Sequence, residues 1–405
     1  MKVNSKVALP LGIFFLVLLL ILLKAHISRE SDSTSLSRTS DFPIAFSFNG
    51  SSTRLKATEI IPTLETRVPT GKNVIWCASF VASWKAMEQN FAAGPVILAG
   101  NPPLAKSLNG TTDPRSFIPA SAIYVAAGYK QDGIMNQIQT DLQRRFPGMQ
   151  PPTFPGIRPD SFVAYSYLEA VVTFTVPYIQ NTNPLVFTDG AGIETEISSF
   201  GIPAEDRNTH FALRGQPRIL FKGNEIREAG GSTFDEFVID LCSDSSPSQI
   251  IVAKVAAEET IVATLERIEK RISDWNAQLG AENTHMARSL QKLSSNDVLL
   301  IPDFNWFISH HFADLENKSF GNQKLVGQRL DVAQQDIMFR LDKNGAEIRA
   351  ESKEYSKSAA RRFVLDKPFL IYMKQRGAVL PYFAMWVDNA ELMCQWSKKR
   401  ESSQR

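Results

Sequence analysis

Four apolar segments in the last third of the chain decide the fold: VLLIPDF at 298–304, QQDIMFRLDKNGAE at 334–347, LDKPFLIY at 365–372 and VLPYFAMWVDNAELM at 379–393. Each holds aliphatic and aromatic residues bounded by Pro, Asp, Asn or Gly, a pattern typical of short buried strands. Strands are therefore predicted in all four segments, at 298–302, 333–341, 369–373 and 379–386.

The segments upstream mix helices with strands. Lys72–Asn90 begins as a strand and passes into a helix, because Val81, Trp84 and Met87 recur at helical spacing. The Pro/Gly-rich residues 94–120 are predicted as loop or edge structure. The other predicted elements are helices at 133–146 and 258–275, a long strand at 162–187 and short strands at 234–241 and 248–253. This order predicts an α+β fold with large antiparallel sheets.

Size, composition and charge are those of an ordinary globular body. The chain has 405 residues, of which 43% are hydrophobic and 21% charged, and its formal net charge is +2. A near-neutral chain lacks the positive field of a nucleic-acid-binding protein, so no nucleic-acid partner is predicted. Cys77, Cys242 and Cys394 have no metal or redox spacing. We expect three buried thiols, with one disulfide and one free thiol as the alternative.

An uncharged run near the N-terminus predicts a membrane span. Residues 7–23 read VALPLGIFFLVLLLILL between flanking lysines. As a helix they cover about 25 Å, just short of a ~30 Å hydrocarbon core. We expect a signal anchor, with a cleaved signal peptide as the alternative. The predicted organisation is a cytoplasmic N-terminus at 1–6, the transmembrane anchor at 7–23, a flexible tether at 24–41, an extracytoplasmic domain at 42–392 and a polar tail at 393–405.

The sequence offers little for a catalytic centre. It contains no nucleophile elbow, phosphate-binding loop or dinucleotide fingerprint. The pair His310–His311 is the nearest approach to a metal motif, but neighbouring residues of a strand point to opposite faces. We therefore predict that the protein is not an enzyme and that it uses no metal and no cofactor.

The four C-terminal segments resemble, in order and spacing, the C-terminal region of serpins, a family of serine protease inhibitors. Asp342–Glu347 matches the family's acidic, glycine-containing hinge, and Asp366–Phe369 matches the strand that follows its exposed loop. Weaker similarities extend upstream through Asn73–Met87, Tyr167–Tyr178 and Phe234–Ile272. The resemblance implies a monomeric α+β, serpin-like fold with large antiparallel and mixed sheets, helices packed around them and an exposed reactive-loop-like segment.

Serpins offer this loop to a protease as bait and then insert it into a sheet as a new strand. The resemblance assigns the hinge to Gly345, Ala346, Glu347, Ile348 and Ala350. Ala346, Ile348 and Ala350 alternate with charged residues, so insertion is compatible with one buried and one solvated face. The same charge-rich stretch is also compatible with a flexible or helical surface loop.

The distance from the Lys-Pro-Phe motif assigns the candidate scissile region to Lys357 and Ser358, with Arg361 and Arg362 nearby. A basic residue at that position suits the acidic specificity pocket of a trypsin-like serine protease. The expected partner is therefore a protease of that class.

Several positions depart from the family's pattern where its members form the polar cluster that lets the sheet open. The Ser-Pro-x-Ser element reads Cys77-Ala78-Ser79-Phe80, the expected histidine is Gln335 and the expected asparagine aligns at Glu169. The usual tryptophan falls near Val176-Pro177. Glu169 and Gln335 have the chemistry to hydrogen-bond one another. The alternatives are an inhibitor with a rebuilt switch, a non-inhibitory binding protein that has lost loop insertion, and an unrelated envelope-associated structural protein.

Overall fold

The computed structural model describes residues 45–154, 158–171, 173–204, 211–228, 231–243, 248–282, 289–344 and 360–397. The predicted span at 7–23, the tether and the segment 345–359 lie outside these residues. In the part that is described, no helix combines the length and the apolar character needed to cross a membrane.

Strands outnumber helices along the described chain. The strands are β1 (Phe48–Ser51), β2 (Thr58–Ile61), β3 (Asn73–Cys77), β4 (Ile123–Tyr129), β5 (Ser161–Val171), β6 (Ile179–Gln180), β7 (Leu185–Thr188), β8 (Glu194–Ile197), β9 (Ser199–Ile202), β10 (Arg218–Lys222), β11 (Glu225–Glu228), β12 (Gly231–Phe234), β13 (Phe237–Asp240), β14 (Ser248–Lys254), β15 (Val298–Pro302), β16 (Phe304–His311), β17 (Lys318–Ser319), β18 (Arg329–Leu341), β19 (Arg361–Val364), β20 (Phe369–Gln375) and β21 (Phe383–Val387). The α-helices are α1 (Ala78–Met87), α2 (Pro103–Gly110), α3 (Ile134–Arg145), α4 (Phe211–Gly215) and α5 (Ile261–Glu282).

Three large sheets organise the described residues. Sheet I has six strands, with β1, β16, β18, β5 and β4 side by side and β17 paired to β18. Sheet II has seven strands in the order β10, β13, β14, β20, β21, β3 and β2. Sheet III has six strands in the order β11, β12, β19, β15, β9 and β6. The strands β7 and β8 form a separate hairpin.

Both faces of sheet I are covered, which explains why β5 reads as a nearly continuous apolar run. Phe80 and Trp84 of α1 pack with Phe162 of β5 on one face. Ile138 of α3 packs with Tyr165 of β5 on the other face. Because successive residues of a strand point to opposite sides, β5 supplies apolar groups to two cores at once.

The α+β class and the large mixed sheets predicted from the sequence are confirmed by these elements. The strand that passes into a helix at 73–87 and the helices in the predicted regions 133–146 and 258–275 are present. Cys77, Cys242 and Cys394 are buried free thiols, as expected.

Two predictions about the course of the chain were wrong. Residues 94–120 contain the helix α2, because a proline in the first turn starts a helix rather than breaking it. The strand predicted at 162–187 ends at Val171, and the described residues from there to 187 form the short strand β6 and the first part of β7. Met393 and Cys394, just after the predicted end of the body, are buried, and the backbone N–H of Cys394 donates to the Asp303 carbonyl.

Candidate functional site

The centre of sheet I is a pair of parallel strands. Residues 332–340 of β18 lie beside residues 163–171 of β5, and the outer neighbours β16 and β4 run antiparallel to this pair. We call the line of contact between β5 and β18 the central seam. A strand that turned back at the end of β18 would be antiparallel to both seam strands. Such a strand could replace one parallel pairing with two antiparallel pairings.

A buried polar cluster, here named the α1-face cluster, lies beneath the seam and comprises Cys77, Ser79, Ser166 and Gln335. The Gln335 Nε2 donates to the Ser79 Oγ at 2.9 Å and to the Cys77 carbonyl at 3.1 Å. The Ser79 Oγ in turn donates to the Ser166 Oγ at 3.3 Å. Ser79 therefore bridges β18 and β5 from the first turn of α1.

Cys77 and Phe80 flank this bridge. The Cys77 Sγ lies 3.1 Å from the Ser79 Oγ, and burial raises the pKa of the thiol to about 11. The thiol is therefore neutral at physiological pH. The Phe80 ring packs against Phe312, with the ring centroids 4.1 Å apart. An aromatic ring and a thiol thus occupy the positions that the sequence resemblance assigned to two serines.

Glu169 lies on the opposite face of β5 from the α1-face cluster. The register pairs Glu169 with Met338, whereas Gln335 is paired with Ser166, three residues earlier on β5. An odd offset on a strand reverses the face, so Glu169 and Gln335 do not meet. Ser166 was missed because a serine inside a strand carries no local signal. The available signal was the alternation along β5, because Ser166 lies two and four residues after Ala164 and Phe162, which face the same core as α1.

At the end of the seam nearest residue 344, Phe174 presents a large aromatic ring, which lies 4.7 Å from the Tyr178 ring. The backbone N–H of Phe174 donates to the Asn344 carbonyl at 3.2 Å, and that of Tyr178 donates to the Lys343 carbonyl at 2.9 Å. These bonds join the chain after β5 to the chain after β18.

A histidine stands in the same row of side chains, one strand away from Gln335. His310 of β16 is paired with Gln335, and its Nδ1 lies 2.8 Å from the Ser52 Oγ. Burial lowers the pKa of His310 to about 4. His311 points the other way and hydrogen-bonds to Glu316, which raises the pKa of His311. Among the described residues no group of three or more His, Cys, Asp or Glu side chains is arranged to hold a metal ion.

The segment 345–359 joins sheet I to sheet III, and the residues just before it make local contacts in addition to the two backbone bonds from Phe174 and Tyr178. The Asp342 Oδ2 accepts from Arg340 at 2.6 Å, and its Oδ1 accepts from the Asn344 backbone N–H at 2.9 Å. Both partners lie within two residues of Asp342 in the sequence. These contacts shape the end of β18 but do not fix it to another element.

The C-terminal end of the segment is held by a buried ion pair. The Arg361 backbone N–H donates to the Asp297 Oδ1 at 3.0 Å, and its guanidinium donates to the Oδ2 from Nε at 3.0 Å and from Nη2 at 2.5 Å. The Asp297 side chain is fully buried. Arg361 therefore anchors β19 to a residue 64 positions away in the sequence.

The predicted scissile residues fall in two parts of the chain. Arg361 and Arg362 belong to β19, which is paired with β12 on one side and β15 on the other. A protease binds an extended, unpaired peptide, and these two arginines lie in a paired strand. Lys357 and Ser358 lie outside the described residues, as do the hinge positions Gly345, Ala346, Glu347, Ile348 and Ala350.

No family model matches the chain, and no curated protein matches it in sequence. Its fold is similar to several solved structures, and each of the three matches named next covers 78% of this chain and 92% of the matched chain. They include native protease nexin-1 with heparin (TM-score 0.43, 9% identity), serine protease inhibitor (serpin)-12 of Manduca sexta (0.43, 12%) and Serpin48, a highly specific serpin of the insect Tenebrio molitor (0.40, 12%). These likenesses concern the course of the chain only.

Proposed function

We propose that the protein is a serpin-like inhibitor of trypsin-like serine proteases that acts by strand insertion into the central seam. The observation that carries the proposal is the parallel pair β5–β18, because the segment 345–359 leaves the end of one member of that pair. A strand returning from there would gain antiparallel partners on both sides. The alternation of apolar and charged residues at 346–351 suits such a strand.

The two ends of the segment support the same mechanism. After cleavage near Lys357, the part that follows stays attached to sheet III through Arg361 and Asp297. Among the described residues just before the segment, Asp342 makes local contacts, and two backbone hydrogen bonds from Phe174 and Tyr178 reach Asn344 and Lys343. Cleavage would therefore free one end to move while the other stays in place.

We also propose that the body lies outside the cytoplasm, tethered through residues 7–23. The support is the length and apolar character of that run in the sequence. A tethered inhibitor would act on proteases present on the same side of the membrane.

The alternative function is a non-inhibitory binding protein whose seam stays closed. The observation that favours it is the density of polar links across the seam, since Gln335, Ser79 and Ser166 satisfy one another in the closed sheet. Opening the sheet would break these buried bonds, each worth ~1 kcal/mol.

Incubation of the full-length chain with trypsin tests the choice. The inhibitor proposal expects a complex that survives denaturation in SDS, because a covalent acyl-enzyme is trapped. Lys357→Ala should abolish that complex, whereas the matched variant Arg362→Ala, in β19, should leave it intact. Cleavage near Lys357 without any complex would favour the alternative, and loss of the complex in Arg362→Ala alone would refute the assignment of the scissile position.

A further inference from the structure

The face of sheet I that α3 covers carries a second polar link across the central seam. The Tyr165 hydroxyl on β5 donates to the Asp336 Oδ2 on β18 at 2.8 Å. Tyr165 is paired with Gln334, so its hydroxyl reaches diagonally to the residue two positions further along β18. Unlike the bond of Gln335 to Ser79, this link joins the two seam strands directly.

We propose that the Tyr165–Asp336 hydrogen bond is a latch that sets how readily the central seam opens. Neighbouring strands lie ~4.8 Å apart, and a new strand between them would double that spacing. A bond of 2.8 Å from Tyr165 to Asp336 cannot span the wider gap. The latch therefore has to break before the segment 345–359 enters. The inference rests on the proposed function, since it concerns the regulation of the same site.

The surroundings of Asp336 make the bond costly to lose. Asp336 is 1% exposed. Its Oδ1 accepts from the Gln334 Nε2 at 2.9 Å, and Ser309 also hydrogen-bonds to its carboxyl group. Burial raises the pKa of Asp336 in spite of these donors. Removing the Tyr165 donor would leave a buried carboxylate short of one partner, a loss larger than that of a neutral bond.

The covering elements keep the latch dry. The Phe154 ring lies edge-on to the Tyr165 ring, with the centroids 5.9 Å apart. Ile138 of α3 belongs to the same apolar cluster. The imidazole of His311, whose own carboxylate partner is Glu316, also acts on Asp336 electrostatically. Under this cover Asp336 is almost entirely shielded from solvent.

Amide hydrogen exchange of the full-length chain measures seam opening without any protease. Tyr165→Phe removes only the hydroxyl. It should speed exchange in peptides covering 161–171 and 329–341 by roughly five- to thirtyfold. The matched control is Tyr124→Phe, because the Tyr124 hydroxyl contacts Asp141 of α3 on the same face and does not cross the seam. Exchange in 369–375 of sheet II should stay unchanged in both variants.

Equal exchange in Tyr165→Phe and the wild type, or equal acceleration in Tyr124→Phe, would overturn the latch. Asp336→Ala removes the acceptor altogether and decides the question if Tyr165→Phe does not fold. It should also speed exchange, because the Tyr165 hydroxyl then has no partner across the seam. The trypsin experiment is separate: a wild type that forms no complex refutes the proposed function, whereas unchanged exchange refutes the latch alone.

Discussion

The two faces of sheet I hold the same pair of strands together with different chemistry. On the α1 face the link runs through a helix, because Ser79 accepts from Gln335 and donates to Ser166. On the α3 face the link runs from strand to strand, because Tyr165 donates to Asp336. The first link requires α1 to stay in place against the sheet. The second link requires the carboxyl group of Asp336 as acceptor. The seam is thus restrained on one face by neutral hydrogen bonds through α1 and on the other face by a hydrogen bond to the carboxyl group of Asp336.

Adjacent glutamines make this comparison testable within one strand. Gln335 is 1% exposed and faces α1, whereas Gln334 is 4% exposed and faces α3. Gln335→Ala should lower the free energy of unfolding by ~2–4 kcal/mol, because it leaves a cavity and strips Ser79 of a donor. Gln334→Ala should cost about half as much, because Asp336 keeps its other donors. Urea denaturation measures both values, and equal losses would break the comparison.

The pH dependence of stability should have opposite signs on the two faces. The pKa of His310, in the row of Gln335, is lowered from 6.5 to about 4. The unfolded chain then binds more protons between these values, so stability is full above pH ~6.5 and is lost as the pH falls. We expect a loss of ~1–2 kcal/mol between pH 7 and pH 5 that His310→Gln removes. Urea denaturation at several pH values measures it.

Asp336 should act in the other direction. Because its folded-state pKa is raised above 3.8, the folded chain holds the proton longer than the unfolded chain as the pH rises. Its contribution to stability therefore falls with rising pH, and Asp336→Asn should remove that fall. If His310→Gln still loses stability between pH 7 and pH 5, the loss does not come from His310 and the assignment is wrong.

The smallest effect is expected from two buried serines of the same helix. Ser79→Ala and Ser83→Ala should each lower the free energy of unfolding by ~1 kcal/mol, because each loses a buried hydroxyl bond. Ser83 donates to the Ala126 carbonyl of β4 and does not touch the seam. Only Ser79→Ala should therefore speed amide exchange in 329–341. Acceleration by both variants would mean that α1 as a whole, rather than the bridge, restrains the seam.

The strands were largely predictable because their signals are local. Alternation, aromatic content and turn residues marked β15, β18, β20 and most of β21. The partners of those strands were not predictable, since register depends on packing against distant elements. The residue of β5 beside Gln335 illustrates this: the sequence indicated Glu169, whereas the register places Ser166 there. The two residues are three positions apart on β5, so they have different partners on β18 and point to opposite faces of the sheet.

The role of Arg361, just after the segment 345–359, was likewise not predictable from the sequence. Arg361 reads as an exposed cation in a charged stretch, and nothing nearby in sequence announces its partner. Its role follows from Asp297, a fully buried carboxylate that the chain brings back through sheet III. A sequence pattern can supply the charge of such a residue but not its burial.

The edge strand β1 has a consequence for how the body can be handled. The Ser47 Oγ donates to the Asn305 carbonyl at 3.0 Å and to the Leu392 carbonyl at 2.9 Å, so a residue just before β1 contacts the chain a few residues after β21. In a chain trimmed to this body, two ends so close could be joined by a short linker. New ends could then be opened at Val326, a 72% exposed residue just before β18. A circularly permuted body would keep the strand pairings of the three sheets. Its new N- and C-termini would lie at the end of sheet I farthest from residue 344, so a tag or surface could be attached there.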